Sequence, residues 1–341
     1  MIELEALDNK CPSCGSQIVF NPANQTWDCT YCGGRFTLDE INKNNLSSNN
    51  VTVSNLDVYK CSNCGAEIMA DETTTATFCV YCGSSAVLKE KINDGRSPDF
   101  IIPFKVVKED AVESYKKFTK FKPLLPRCFK NKANVEKISG VYVPFWAYDL
   151  VVSGQVNFEG VDKEKWHDDE YDYVKLKKYL VQTEGKFDFN KVLADASTKF
   201  KDDMMDSLEP FDYSQITNYN HMYLTGYLAD KYDVLEDVGF ERASVRSKNT
   251  AINMLESTVR HDSTSVVEDK LTIINKGTHY IYLPVWMLNI KYKDKTYTFA
   301  VNGQTGKFVG SLPIGVSECI VWGIGLFIVF YILAILVLKF I

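Results

Sequence analysis

Eight of the ten cysteines in this 341-residue chain occur in four Cys-x-x-Cys-Gly units. Such a tight turn brings two sulfurs to one side, because glycine accepts the positive φ that points backbone N–H groups at the thiolates. Two turns joined by a hairpin close a tetrahedron of four sulfurs, the geometry of structural Zn²⁺ sites. The spacing predicts two zinc sites, with these ligands: Cys11, Cys14, Cys29 and Cys32 in the first, and Cys61, Cys64, Cys79 and Cys82 in the second.

Zinc held by four thiolates has no open coordination position for water or substrate, so we expect two structural ions without a catalytic role. Modules this small need their metal to fold, and their thiolates need a reducing compartment. Buried or disulfide-bonded cysteines are the alternative, which four units in register disfavour. A redox or zinc sensor is a third interpretation and requires labile thiolates.

The two cysteine modules are an internal repeat. "CPSCGSQIVFNPANQTWDCTYCGG" from Cys11 aligns without a gap with "CSNCGAEIMADETTTATFCVYCGS" from Cys61, and the intervening stretch is rich in Asn and Ser. A stretch with so little to bury is typical of a linker. The sequence thus predicts a first zinc ribbon at 1–40, a linker at 41–56 and a second ribbon at 57–90.

Residues 99–311 have the pattern of an α+β domain with an antiparallel sheet. Apolar residues at helical spacing predict helices at 108–121 and 234–260, and "TKFKDDMMDSLEP" predicts another. Alternating segments, with turns marked by "NKG", "KDK" and "NGQTG", predict long antiparallel strands between and after them. We expect the helices to cover one face of the sheet.

A second repeat lies inside this domain. "VYVPFWAYDL" at 141–150 and "IYLPVWMLNI" at 281–290 share the order apolar, Tyr, apolar, Pro, apolar, Trp. Two related β units would produce it. The alternative is that two strands meet similar constraints, with each proline at a strand start or edge, where no ladder hydrogen bond is lost.

The chain ends in an apolar segment of 20 residues without a charge, 319–338. A helix of that length spans the roughly 30 Å hydrocarbon layer, so we expect a single transmembrane tail anchor. Because the start of the chain lacks a secretory signal, the N-terminal bulk should face the cytosol. Cys319 borders the anchor and is either acylated or a neutral thiol, and Cys128 should be buried.

Charge disfavours nucleic acid as a partner. The formal net charge is −6, and residues 1–90 hold eleven acidic but only five basic side chains. An acidic surface repels phosphate unless a local basic patch overrides it. The alternative function is a membrane-tethered ribbon factor that binds nucleic acid or a polymerase.

No catalytic constellation stands out. The acidic run "WHDDEYD" at 166–172 is typical of a solvated loop, and "VNGQTG" lies between alternating strands as a hairpin, not as a phosphate loop. We therefore expect no enzymatic activity. The four histidines are scattered: His167, His221, His261 and His279.

The double ribbon, followed by "GVYVPFWAYD", "LEPFDYSQITNYNHMYLTGYLADKYD" and "YLPVWMLNIKYKDKTYTFAVNGQTGKFVGSLP", resembles a bacterial family of TFIIB-type zinc-ribbon-containing membrane proteins. The resemblance covers most of residues 10–313. Its members often carry primosomal or helicase-like labels, which the lack of a GxxxxGK[ST] loop makes inapplicable here.

With its C-terminal anchor, the chain resembles a member of this family that is encoded beside a phage-shock-protein-A-like protein and a flotillin-like (SPFH) protein. The resemblance implies a membrane-bound complex that recruits an envelope-stress coat protein. Together with the two closed zinc sites and the anchor, it makes a non-enzymatic scaffold or adaptor on the cytosolic face of the cell membrane the expected function.

Overall fold

The computed structural model describes residues 11–16, 18–45, 57–61, 67–70, 87–91, 96–229 and 232–340. In chain order the elements are β1 (Ile18–Asn21), β2 (Thr26–Cys29), β3 (Arg35–Phe36), α1 (Leu38–Asn45), β4 (Asp57–Cys61), β5 (Glu67–Ala70), β6 (Val87–Lys91), β7 (Phe100–Ile101), α2 (Lys108–Thr119), α3 (Lys132–Val135), β8 (Ser139–His167), β9 (Asp172–Asp195), α4 (Asp202–Ser207), β10 (Thr217–Asn218), β11 (Leu228–Ala229), α5 (Glu236–Glu256), β12 (Ser263–Tyr292), β13 (Lys295–Asn302), β14 (Phe308–Gly310) and α6 (Val316–Phe340). The sheet-rich α+β body expected from the sequence is confirmed, with one apolar helix at its C-terminal end.

The chain folds into two compact units, each assembled from separate stretches of sequence. Unit 1 comprises Met1–Pro144, Ser197–Lys231 and Tyr282–Ile341, and unit 2 comprises Phe145–Ala196 and Tyr232–Ile281. Strands β8 and β12 each contribute residues to both units.

Unit 1 begins with a three-stranded antiparallel sheet in the order β1-β2-β3. Phe20 of β1 lies opposite Trp27 of β2, and both rings are buried with their centroids 5.1 Å apart. Helix α1 follows and extends through Asn45, into the stretch expected to be a linker, whose residues 46–56 lie outside the described part of the chain.

The body of unit 1 is an antiparallel meander covered by α2. The C-terminal part of β12 pairs with β13, and β13 pairs with β14. Helix α2 buries Ala111 and Tyr115, four residues apart on one face, as the helical spacing of the sequence predicts. The Tyr115 ring meets Phe299 of β13 edge-on, with centroids 5.2 Å apart.

Unit 2 is built on the long hairpin of β8 and β9, which are antiparallel from Phe145 paired with Asp195 to His167 paired with Asp172. Helix α5 covers one face of this hairpin. Leu255 of α5 packs with Val156 and Phe158 of β8 in a buried apolar cluster.

Both prolines of the internal repeat lie inside long strands. Pro144 is within β8 and Pro284 is within β12, so neither proline starts its strand, which was one of the two positions that the alternative interpretation allowed. The carbonyl oxygen of Pro284 still accepts a hydrogen bond from Gly303 N–H at 2.8 Å. A proline lacks only its donor, and its acceptor remains available to the sheet.

Helix α6 contains the apolar segment expected to cross a membrane. Within the described chain, its residues Val316–Leu338 form one helix long and apolar enough to do so, with a mean hydropathy of 2.8. From Ile320 to Leu338 its side chains are exposed. A soluble surface helix would instead show one polar face.

Candidate metal centre

The first four predicted ligands come from two similar turns at one end of the ribbon sheet. Cys11 and Cys14 precede β1, and Cys29 ends β2 just before Cys32. Each turn closes with a backbone bond into the first cysteine, from Gly15 N–H to Cys11 O at 2.9 Å and from Gly33 N–H to Cys29 O at 3.0 Å.

The two turn glycines have φ values of 74° and 71°. A side chain is strained in that left-handed region, so glycine is the residue that lets each turn close.

The four sulfurs have the spacing of a tetrahedral site. Sγ of Cys11 lies 3.6 Å from that of Cys32, and Sγ of Cys14 lies 3.6 Å from that of Cys29. All four sulfurs lie within 4.8 Å of one another. Zn–S bonds of about 2.3 Å in a tetrahedron require S···S distances of about 3.8 Å. The predicted grouping is confirmed, and these four sulfurs can hold a metal ion.

Backbone N–H groups point at the sulfurs and favour their charged form. The N–H of Ser13 lies 3.4 Å from Sγ of Cys11, and that of Cys32 lies 3.5 Å from Sγ of Cys29. The bond from Cys32 is the largest of several causes that together lower the pKa of Cys29 to about 6. A metal ion needs its ligands as thiolates, so this polarity suits a cation.

The pKa of Cys32 is shifted in the opposite direction. The backbone N–H of Gly34 lowers its pKa, but the neighbouring thiols of Cys29 and Cys11 outweigh that effect and raise the pKa to about 12. Sulfurs so close cannot all carry a negative charge without a cation between them. Metal binding at this site must therefore release protons.

The ribbon packs on the loop that precedes β11, within unit 1. Nε1 of Trp27 donates to the carbonyl oxygen of Met222 at 2.8 Å, and the N–H of Phe20 donates to Thr225 O at 3.1 Å. A side chain on Gly226 would place its Cβ 2.3 Å from Val19 Cγ1, so glycine is required at this close approach. The metal centre is thereby fixed to the body of unit 1.

Of the four cysteines predicted to form the second site, Cys61 is the one that lies within the described residues. Cys61 is the last residue of β4, which pairs with β5 and β6. Cys64, Cys79 and Cys82 lie outside the described residues.

The remaining candidates do not join the cysteine cluster. Nδ1 of His261 lies 2.9 Å from Asp162 Oδ1, and His279 lies 3.7 Å from Asp149. His167 ends β8, and His221 begins a short 3-10 turn. Across the described ranges, the four ribbon cysteines are the one group of three or more His, Cys, Asp or Glu ligand atoms this close together.

Cys128 was expected to be buried, but the structure shows it half-buried. Its partial burial still raises the pKa of its thiol.

One charged feature lies away from the cysteine region and was not among the sequence predictions. Residues 114–135 contain seven Lys or Arg and no Asp or Glu. The uneven charge can be read from the sequence, but the residues that contact this segment cannot.

Fold and site together define an α+β protein with a cluster of four cysteines that can hold a metal ion and a C-terminal helix able to cross a membrane. The chain is 35% identical over 318 residues to a protein of Bacillus subtilis (strain 168) named Uncharacterized protein YdjG, covering 93% of each chain. The chain belongs to the family of YdjG. No family model and no solved structure matches it.

Proposed function

We propose that this chain is a non-enzymatic scaffold, anchored in the cell membrane by α6, that presents docking surfaces to cytosolic proteins. Zinc is the proposed ion at Cys11, Cys14, Cys29 and Cys32, because thiolate tetrahedra are typical of structural zinc sites. The repeat extends the proposal to a second zinc ion at Cys61, Cys64, Cys79 and Cys82. Zinc thiolates need a reducing compartment, which supports a cytosolic location for the ribbons.

The observation that carries the scaffold proposal is an uncovered apolar face in unit 2. Successive side chains of a strand point to opposite faces. Val181 and Phe187 of β9 pack in the cluster with α5, so the even-numbered residues of β9 lie on the other face. There Leu180 is 75% exposed and Leu176 is 53% exposed.

Strand β12 lies on the other side of β8 from β9 and adds apolar side chains to the same face of unit 2. Leu271 packs in the cluster under α5, so the even-numbered Val266 and Ile274 point away from it, and both are exposed. Charged side chains lie between the apolar ones, as in the ion pair of Glu159 with Lys178. Exposed apolar patches that are rimmed by polar and charged side chains mark surfaces that bind protein partners.

The proposed partners are a phage-shock-protein-A-like protein and a flotillin-like protein, as the family resemblance implies. Each should be co-expressed with the full chain and captured through it in mild detergent. We expect both to be retained, and Leu176→Gln with Leu180→Gln to reduce retention of at least one several-fold. The matched control is Gln182→Ala with Glu184→Gln on the same face. A wild-type chain that retains neither partner would contradict the scaffold role.

Membrane anchoring has its own test. We expect the full chain to stay in the pellet when membranes are washed with alkaline carbonate, because a spanning helix is not released by stripping surface charges. A peripheral protein in the same sample should be released. Release of this chain would rule out α6 as an anchor.

A further inference from the structure

A strongly basic segment, 114–135, stands out in this acidic chain. It covers the end of α2, a loop and all of α3, and the side chains of Lys116, Lys120, Lys130 and Lys132 are exposed. Exposed lysines repel one another, and an anion placed among them relieves that repulsion.

The loop of this segment touches the first residues of the apolar helix. Gly315 N–H donates to the carbonyl oxygen of Leu124 at 2.8 Å. A Cβ on Gly315 would lie 3.1 Å from Pro126 Cγ, and the Glu318 side chain is close enough to interact with Arg127. These contacts lie within unit 1. The basic segment is therefore fixed beside the point where α6 leaves the body.

The lysines surround an open cavity of about 410 Å³. Its lining has apolar rings and aliphatic groups at the base and five lysines, without a carboxylate: Tyr115, Lys116, Lys117, Thr119, Lys120, Phe129, Lys130, Lys132 and Val135. Lys117 also pairs with Glu113 at 2.9 Å and Lys132 with Glu136 at 3.6 Å. The cavity combines positive charge with an apolar floor.

An aromatic side chain marks the rim of this region. Phe121 is 84% exposed, and Nζ of Lys120 lies 5.2 Å from its ring centroid. An exposed apolar ring beside lysines suits the boundary of a bilayer, where aromatic rings and cationic side chains lie among the headgroups. Three residues of extended chain span about 10 Å at most. Phe121 is three residues from Leu124, so it lies within about that distance of the residue that contacts Gly315.

We propose that the lysine cavity of 114–135 binds the headgroup of an anionic phospholipid in the leaflet from which α6 enters the membrane. The inference rests on the membrane insertion of α6 proposed above. The charge, the cavity and the position beside α6 all support this assignment. A leaflet rich in anionic lipid attracts basic residues that lie within a Debye length, about 8–10 Å, of its surface. The cytosolic leaflet has that charge, so the same cluster favours the cytosolic orientation of unit 1.

The test uses the full chain in non-ionic detergent and native mass spectrometry. Dioleoyl phosphatidylglycerol and dioleoyl phosphatidylcholine are titrated separately, because they share acyl chains and differ in headgroup charge. We expect phosphatidylglycerol to bind about tenfold more tightly, and raising the salt from 50 to 500 mM to remove most of that preference. Equal binding of both lipids would overturn the proposal.

The decisive variant is Lys116→Gln with Lys120→Gln and Lys130→Gln. Each surface lysine contributes about fivefold to the binding of an anionic bilayer, so we expect at least a tenfold loss after screening. The same three positions changed to Arg should retain binding, which separates lost charge from misfolding. The matched control removes three exposed lysines in unit 2: Lys163→Gln, Lys165→Gln and Lys175→Gln.

Two further outcomes are diagnostic. A triple Gln variant that binds phosphatidylglycerol like the wild type would overturn the proposal. Binding of glycerol 3-phosphate alone as tightly as phosphatidylglycerol would identify a site for a small soluble anion and would also overturn it. Carbonate extraction of the same variants reports on α6 alone, so a failed lipid site remains distinguishable from a failed anchor.

Discussion

Nε1 of Trp286 donates a hydrogen bond to the backbone carbonyl oxygen of Val106, 2.9 Å away. The acceptor directly precedes Val107, the N-cap residue of α2. Trp286 lies on β12, so this bond joins a late strand to the start of an early helix within unit 1. The bond fixes the position of α2 on the strand it covers.

Unit 2 contains the equivalent bond. Nε1 of Trp146 on β8 donates to Val234 O at 2.9 Å, and Val234 directly precedes Leu235, the N-cap of α5. Trp146 and Trp286 occupy the same position of the internal repeat. Similar strand constraints alone do not explain why both indoles reach the residue before a helix cap. The bonds favour two related β units.

Replacing either indole by a phenyl ring should destabilise its own unit. Trp146→Phe and Trp286→Phe each keep an aromatic ring but leave a carbonyl without this donor, at a cost of about 1–3 kcal/mol. Thermal unfolding of the full chain in detergent measures the loss, and hydrogen exchange should locate it at the start of α5 or α2 respectively. Trp166→Phe, at a half-exposed ring, is the control and should change stability by about 0.5 kcal/mol or less. Exchange that rises equally in both helices for either variant would contradict this assignment.

Trp27 should carry much of the attachment between the ribbon and the body of unit 1. Its ring is buried, and Nε1 donates to Met222 O. Trp27→Ala removes this bond and leaves a cavity, so we expect a loss of about 3–5 kcal/mol. Protection from limited proteolysis near the ribbon should fall with it. Tyr31→Phe is the control, because that side chain is 82% exposed. An unchanged unfolding midpoint for Trp27→Ala would mean that the ribbon is held by other contacts.

The metal centre is tested by counting ions. Cys29→Ser removes one of four sulfurs, and we expect the zinc content of the purified full chain to fall by about one ion per molecule, because three ligands bind structural zinc weakly. Elemental analysis by mass spectrometry gives the number. Cys128→Ser removes a thiol outside the cluster and should leave the content unchanged. Equal metal content in wild type and Cys29→Ser would exclude the site.

Local features of the fold were predictable from the sequence. The grouping of Cys11 with Cys14, Cys29 and Cys32 follows from turns and a hairpin, which are short-range structures. Helix α2 was predictable because Ala111 and Tyr115 recur at helical spacing.

Contacts between distant segments were not predictable. Trp27 meets Met222 across 195 positions of sequence, and no spacing rule relates two such residues. The closeness of Leu124 to Gly315 is of the same kind. Both depend on which strands pair and which loops they bring together, and periodicity within one element carries no information about that. The sequence therefore shows that residues 114–135 are basic, but not that they lie beside the start of α6.

The hydrogen bond between Asp162 and His261 in unit 2 gives a pH dependence with a definite sign. The hydrogen bond from His261 is the main cause that holds the pKa of Asp162 below its usual value. A carboxyl whose folded pKa is depressed stabilises the fold fully above its unfolded pKa, about 3.9, and loses that contribution as the pH falls through the folded value. We expect wild type to unfold at a higher temperature than Asp162→Asn at pH 6, and the difference to shrink by pH 3. Asp169→Asn, in the exposed turn after β8, is the control for loss of one carboxylate. Metal loss in acid affects all three proteins alike, so the comparison isolates Asp162. A difference that stays constant from pH 6 to pH 3 would show that Asp162 acts through packing and not through its charge.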